Sequence, residues 1–157
     1  MVSYEKQVIA LYQGELYGER LFNALSILER DAEVAAMWSL VAEVEAKTAK
    51  RLRPLAGQIE PDLDRHISLS EARVETQLKD FEGQSWRDIC EYYHNRILAN
   101  IARLRTIESE GPAEDKVLLG QVVAHSQVFF DCLEHWLRDE RAAACDCLRA
   151  YLADDTS

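Results

Sequence analysis

Three glutamates stand where the surrounding pattern is apolar, and they are the first candidates for chemistry. Glu15 and Glu45 each interrupt an apolar helical stripe, where an ionised carboxylate is costly unless it is paired or bound to a metal. Glu91 is linked to Glu15 by a weak internal echo of the sequence. Carboxylates that converge from separate helices are typical of iron and manganese sites. The pattern therefore predicts a carboxylate-rich centre where Glu15, Glu45 and Glu91 meet.

The internal echo relates residues 15–25 to residues 91–101. The same residue types recur at three pairs of positions: Glu15 and Glu91, Tyr17 and Tyr93, and Arg20 and Arg96. Glutamate–arginine pairs formed across a helical bundle would neutralise the carboxylates without any metal, and tyrosine hydroxyls would donate hydrogen bonds to them. A metal centre and a metal-free structural network therefore both fit the sequence.

Two histidines extend the candidate ligand set. His94 follows Glu91 by three residues, so the two share a helix face, and His125 faces inward if its helix is rotated slightly. The other two histidines, His66 and His135, are expected to face solvent. The candidate metal ligands are therefore Glu15, Glu45, Glu91, His94 and His125.

Long helices must position these residues. Six glycines and three prolines in 157 residues favour uninterrupted helices over strands and tight turns. Apolar residues spaced by three and four predict one helical hairpin over residues 3–57 and a second over 85–138. A polar crossover over 58–84, with a short helix from Ser68 or Ser70, joins them, and a last helical segment covers 139–153. The prediction is a single all-α domain built as a four-helix bundle.

With one long crossover between two hairpins, the chain resembles the ferritin-like superfamily, which includes ferritins, bacterioferritins and rubrerythrins. The segment over residues 38–52 is similar to the second helix of that family, and the segment over 123–130 is similar to its fourth helix. The resemblance covers nearly the whole chain, in architecture more than in sequence. It implies an iron or manganese site in the core.

The expected ligand set of this family is only half present. The family places a glutamate on its first and third helices, which the resemblance matches to Glu15 and Glu91. It places Glu-x-x-His on the second and fourth helices. The second helix supplies Glu45 but has Thr48 in the histidine position. On the fourth helix, the two ligand positions hold Ser126 and Phe129.

Composition excludes several classes of function. A net charge of −10 argues against a nucleic-acid-binding surface. The start of the chain does not resemble a signal peptide, and no apolar run is long enough for a bilayer, so we expect a cytoplasmic protein without membrane contacts. Reduced, mostly buried thiols are expected at all four cysteines: Cys90, Cys132, Cys145 and Cys147.

Two functions stay open at this level, and the sequence leaves undecided whether the protein is an enzyme. The first is a ferritin-like protein that binds iron or manganese at a partial carboxylate site. The second is a metal-free ferritin-like bundle with a structural, interaction or small-ligand-binding role. Relatives of this fold often dimerise through helix faces, so the resemblance also implies a homodimer.

Overall fold

Helices account for nearly all of residues 1–154, which are the residues that the computed structural model describes. Six α-helices follow one another: α1 (Tyr4–Leu28), α2 (Ala32–Ile59), α3 (Arg65–Phe81), α4 (Trp86–Glu110), α5 (Lys116–Leu137) and α6 (Arg141–Ala153), with a 3₁₀ turn at Ala113–Asp115 before α5. None of the described helices combines the length and the apolar character needed to cross a bilayer. The prediction of an all-α protein is confirmed within these residues.

Side-chain caps begin three of the long helices. The Ser3 hydroxyl accepts a hydrogen bond from the backbone N–H of Lys6 at the start of α1. Asp31 caps α2 through the N–H groups of two following residues. Ser85 and Asp88 form a reciprocal capping box at the start of α4. Each cap accepts hydrogen bonds from N–H groups that have no partner within the helix. Residues at the boundary itself therefore determine where these helices begin.

The structure differs from the prediction at two helix ends, the start of α3 and the end of α2. The crossover contains a helix of 17 residues, α3, which begins at Arg65 rather than near Ser68. Helix α2 contains Pro54 and continues to Ile59, beyond the predicted end of the first hairpin at residue 57. The predicted C-terminal helical segment over 139–153 is present as α6, which is separate from α5 because the chain turns at Asp139 with a positive φ of 61°.

Helix packing leaves one gap. Helix α1 packs mainly against α2, α4 packs against α5, and α2 contacts α5. Helix α3 lies on α1, while α6 packs against α5 and α2. In the described chain the backbones of α1 and α4 scarcely approach each other. The space between these two helices is therefore the natural entrance to the interior.

A polar layer divides the apolar core into two parts. One apolar cluster includes Leu11, Leu52 and Leu119, and the other includes Phe22, Trp38 and Phe129. Between them lie five buried polar residues: Glu15, Glu45, Thr48, His125 and Ser126. Burying a polar group is costly unless it has a partner, so this layer is the first place to look for a functional site.

Candidate functional site

Three side chains from three helices meet in the polar layer. Glu15 comes from α1, Glu45 from α2 and His125 from α5, and their relative exposures are only 8%, 7% and 4%. Each offers one ligand atom, and these atoms all lie within 4.8 Å of one another. Such a group could hold a metal ion.

His125 lies between the two carboxylates. Its Nδ1 is 3.4 Å from Oε1 of Glu15, and its Nε2 is 3.1 Å from Oε1 of Glu45. The contact with Glu45 is a hydrogen bond. Neither Nδ1 of His125 nor Oε2 of Glu15 has a hydrogen-bond partner in the described part of the chain. The cluster therefore holds buried polar atoms that the protein alone leaves unsatisfied.

Burial and mutual charge shift the pKa values of all three groups. Burial raises the pKa of Glu15 well above its ordinary value, and the neighbouring Glu45 adds to this, although His125 opposes it. Burial opposes the charged form of His125, but the charges of Glu15 and Glu45 outweigh it and raise the pKa of the imidazole. For Glu45, burial is outweighed by His125, and the pKa is lowered. Relative to water, the cluster thus shifts the pKa values of Glu15 and His125 toward their protonated forms and that of Glu45 toward its ionised form.

A glycine on α1 makes room for one carboxylate. A Cβ atom added at Gly18 would lie 2.5 Å from Oε2 of Glu45, which is closer than any real contact. Any larger residue at position 18 would therefore displace this carboxylate. Gly14, one turn earlier, has nothing within 4 Å of the same added atom. The close approach is specific to Gly18.

Helix α6 covers the outer side of the cluster. The ring of Tyr151 lies 6.5 Å from that of His125, measured between centroids. Its hydroxyl accepts a hydrogen bond from Arg51. The ammonium group of Lys47 donates hydrogen bonds to the backbone oxygens of Tyr151 and Leu152, at the end of α6. These contacts hold α6 against α2 and keep water from that side.

Glu91 and His94 do not join this cluster. Glu91 is exposed on α4, so the prediction that it meets Glu15 and Glu45 in the interior is wrong. Its neighbours one turn away along the helix are polar: Arg87, Asp88, His94 and Asn95. His94 lies at the surface and contacts Glu134 of α5, with Nε2 2.8 Å from Oε1.

The arginine network that the sequence allowed does not form either. Among the described residues, neither Glu15 nor Glu45 pairs with an arginine, and the ionic partner of both is His125. Arg20 donates instead to the carbonyl of Leu16. The hydroxyl of Thr48, in the position where the resemblance calls for histidine, donates to the carbonyl of Val44.

A cavity connects the cluster to solvent between α1 and α4. Its volume is about 440 Å³, and Glu15, Glu45 and His125 form part of its wall. Aromatic rings of Phe22, Tyr93 and Phe129 close one end, with centroids 5.3–5.8 Å apart. Exposed arginines line the opening. The buried cluster is therefore accessible to a small molecule.

Sequence patterns missed several of these features. His66, expected to face solvent, is 2% exposed; its Nδ1 lies 2.9 Å from Nε2 of Gln13, and its Nε2 lies 3.0 Å from a carboxylate oxygen of Glu60. His135, by contrast, is partly exposed and contacts Glu140. Gly18 carried one signal, since a glycine in an apolar stripe indicates close approach of another group.

Comparison with known proteins gives no match: no protein-family model, no curated protein and no solved structure is similar to this chain at a significant level.

Proposed function

We propose that this protein is a ferritin-like helical bundle that binds one divalent iron or manganese ion through Glu15, Glu45 and His125. The observation that carries the proposal is the convergence of three ligand atoms, from α1, α2 and α5, within 4.8 Å in a buried layer. The proposed set keeps three of the five candidate ligands from the sequence, Glu15, Glu45 and His125, and leaves out Glu91 and His94. Two hairpins joined by a long crossover support the ferritin-like assignment.

Charge balance favours a cation at this position. Two carboxylates face a single imidazole, so one protonated His125 can neutralise only one of them, and Glu15 must then stay protonated to avoid a buried net charge. Even so, within the part of the chain that the structure describes, Oε2 of Glu15 and Nδ1 of His125 lack hydrogen-bond partners. A divalent cation would balance both carboxylates and use the atoms that are otherwise unsatisfied.

The donor set indicates which ions fit. Carboxylate oxygens suit manganese, and imidazole nitrogen suits iron and zinc, so two glutamates and one histidine fit Fe²⁺ or Mn²⁺ well. Three protein ligands leave coordination positions open on the side of the cavity. An ion bound there would act as a Lewis acid or a redox centre toward a small molecule in the cavity. The protein would supply the ligands, the dry enclosure under α6 and the entrance between α1 and α4.

Gly18 adds an argument from shape. The carboxylate of Glu45 occupies the space that a side chain at position 18 would fill. A glycine in the interior of a helix lowers helix stability by roughly 1 kcal/mol relative to alanine. Its presence at this point gives Glu45 room to lie in the layer beside Glu15 and His125.

Metal titration under anaerobic conditions tests the proposal. Chelator-treated protein should bind one Fe²⁺ or Mn²⁺ per chain, measured by calorimetry and by elemental analysis after gel filtration. Glu45→Gln should weaken binding by at least tenfold, since even outer-shell changes cost about 10–100-fold. Glu91→Gln is the matched control, because it removes the same charge from an exposed position of α4, and it should bind as wild type does.

Two results of this titration would overturn the proposal. One is the absence of stoichiometric metal in wild-type protein, which would favour the metal-free bundle. The other is equal weakening by Glu45→Gln and Glu91→Gln, which would place the metal on surface carboxylates.

Location and assembly follow from the same proposal. We expect a cytoplasmic homodimer, as the sequence and its resemblance predict. Light scattering coupled to gel filtration checks the dimer, and a single species with the mass of one chain, 18.0 kDa, would contradict it.

A further inference from the structure

The opening of the cavity is positively charged in a protein that is otherwise acidic. Three arginines line it: Arg73 from α3, and Arg96 and Arg103 from α4. Arg96 and Arg103 are seven residues apart, which places them on one helix face, two turns from each other. The chain as a whole carries a net charge of −10. Positive charge is therefore concentrated at the entrance, while acidic residues prevail over the rest of the chain.

These arginines are held in place without being neutralised. The guanidinium of Arg96 lies 3.7 Å from the ring centroid of Tyr92, and Arg96 also donates to the carbonyl of Tyr92. The guanidinium of Arg73 lies 4.3 Å from the ring of Tyr17. Arg103 donates to the side-chain oxygen of Asn100.

No ion pair with a carboxylate involves any of these three arginines within residues 1–154. Stacking on an aromatic face leaves the edge of a guanidinium free to donate hydrogen bonds.

The interior of the cavity is of a different character. Behind the arginines lie the rings of Tyr93, Phe22 and Phe129, which offer apolar surface. At the floor lie Oε2 of Glu15 and Nδ1 of His125, buried and without hydrogen-bond partners among residues 1–154. A cavity with an apolar wall and a few placed polar groups is the usual form of a small-molecule site. Its volume of about 440 Å³ suits a small organic molecule.

We propose that the cavity between α1 and α4 binds a small organic acid, with its anionic group bound by guanidinium groups at the opening, where Arg73, Arg96 and Arg103 lie, and its apolar body against Tyr93 and Phe129. The planar guanidinium group matches the geometry of a carboxylate or phosphate oxyanion. A positive opening in an acidic protein also concentrates anions at the entrance. This inference rests on the proposed function in one respect: the organic acid would lie next to the metal ion bound at the floor of the cavity. The arginines and the aromatic rings would bind the acid with or without that ion.

Benzoate and benzamide are matched probes for this site, because they share a ring and differ in charge. Calorimetry and NMR at low ionic strength should show saturable binding of benzoate to chelator-treated protein, with shifts at Tyr93 and Ile97, and no saturable binding of benzamide. Added salt should weaken the binding, since exposed charges are screened. Inorganic phosphate, which has no apolar body, should bind more weakly than benzoate.

The variant Arg96→Met with Arg103→Met should weaken benzoate binding by about tenfold or more, the scale of one charge-assisted hydrogen bond. Both arginines are exposed, so the variant should keep its helical circular dichroism. The control is Arg30→Met with Arg105→Met, which removes equal charge from exposed positions outside the cavity and should bind benzoate as wild type does. Equal weakening in both double variants, equal binding of benzamide, or phosphate binding as tight as that of benzoate would each overturn the organic-acid site.

The same titrations separate this inference from the proposed function. Benzoate binding in a protein that takes up no Mn²⁺ would overturn the metal site and leave the organic-acid site standing. Stoichiometric Mn²⁺ binding without benzoate binding would overturn the organic-acid site and leave the metal site standing. When both hold, Mn²⁺ should tighten benzoate binding, because the ion adds positive charge at the floor of the cavity.

Discussion

Helices α1 and α4 carry the same short motif but place it differently. On α1, Glu15 is buried and contacts His125; on α4, Glu91 is exposed. The residues one turn away explain the difference. Around Glu15 they include Leu11, Tyr12 and Gly18, all buried, whereas around Glu91 they are charged or polar.

The same short motif is therefore buried in one helix and exposed in the other, so the motif alone does not decide whether its glutamate is buried. A carboxylate enters the core only where its whole helix face is turned inward. On α1 that face is continuous from Val8 to Leu25. On α4 the buried face follows Ile89, Ile97 and Leu104, and Glu91 lies away from it.

The largest difference between the buried and the exposed site is expected when the histidine of each is removed. His125→Ala leaves two buried carboxylates without their cationic partner, and breaking a buried pair of this kind destabilises by about 3–5 kcal/mol. His94→Ala removes a half-exposed contact with Glu134, which is worth about 1 kcal/mol or less. Urea denaturation in the presence of a chelator measures both. Equal losses would contradict the distinction between the two sites.

Proton competition gives a second test. Burial raises the pKa of Glu15, and the neighbouring carboxylates raise the pKa of His125 against the opposing effect of burial, so both groups hold their protons to higher pH than usual. A divalent ion must displace these protons, and its apparent affinity should therefore fall as pH falls and rise as pH rises. The slope is about 1.4 kcal/mol per pH unit for each proton displaced.

The rise should continue above pH 6.5, the ordinary pKa of histidine. Calorimetry in buffers of different ionisation enthalpy counts the protons released. An affinity that levels off below that pH, as for an exposed histidine, would contradict the cluster described here.

A pair of glycines on α1 gives the smallest and most local test. Gly18→Ala should displace the carboxylate of Glu45 and weaken metal binding by about tenfold, the scale expected when a ligand is misplaced. Gly14→Ala, one turn away, meets nothing within 4 Å and should leave metal binding unchanged while stabilising the helix by up to about 1 kcal/mol. Metal affinity and thermal unfolding should be measured for both variants. A Gly18→Ala variant with wild-type metal affinity would contradict the proposal that Gly18 makes room for the carboxylate of Glu45.

Much of the fold was predictable because its signals are local. The caps at Ser3, Asp31 and Ser85 and the three- and four-residue apolar spacing mark helix starts and buried faces directly. The turn at Asp139 was not predictable, because α6 is held by contacts with distant parts of the chain, such as the bonds from Lys47. Local patterns do not record such contacts.

The candidate site was predictable only in part. Glu15 and Glu45 stand in apolar stripes, and the same argument excludes Glu91 once its polar neighbours one turn away are considered. The inward turn of His125 depends on the rotation of α5, which is set by packing against α2, α4 and α6. The arginines at the cavity opening come from α3 and α4, and no sequence pattern indicates that Arg73 and Arg96 line the same cavity.

The position of Mn²⁺ in crystals of the loaded protein, located by its anomalous scattering, would show directly whether Glu15, Glu45 and His125 bind the ion. We expect one strong peak in the polar layer, bonded to these three residues. A peak beside Glu91, His94 or Glu134, or no peak in the interior, would contradict it.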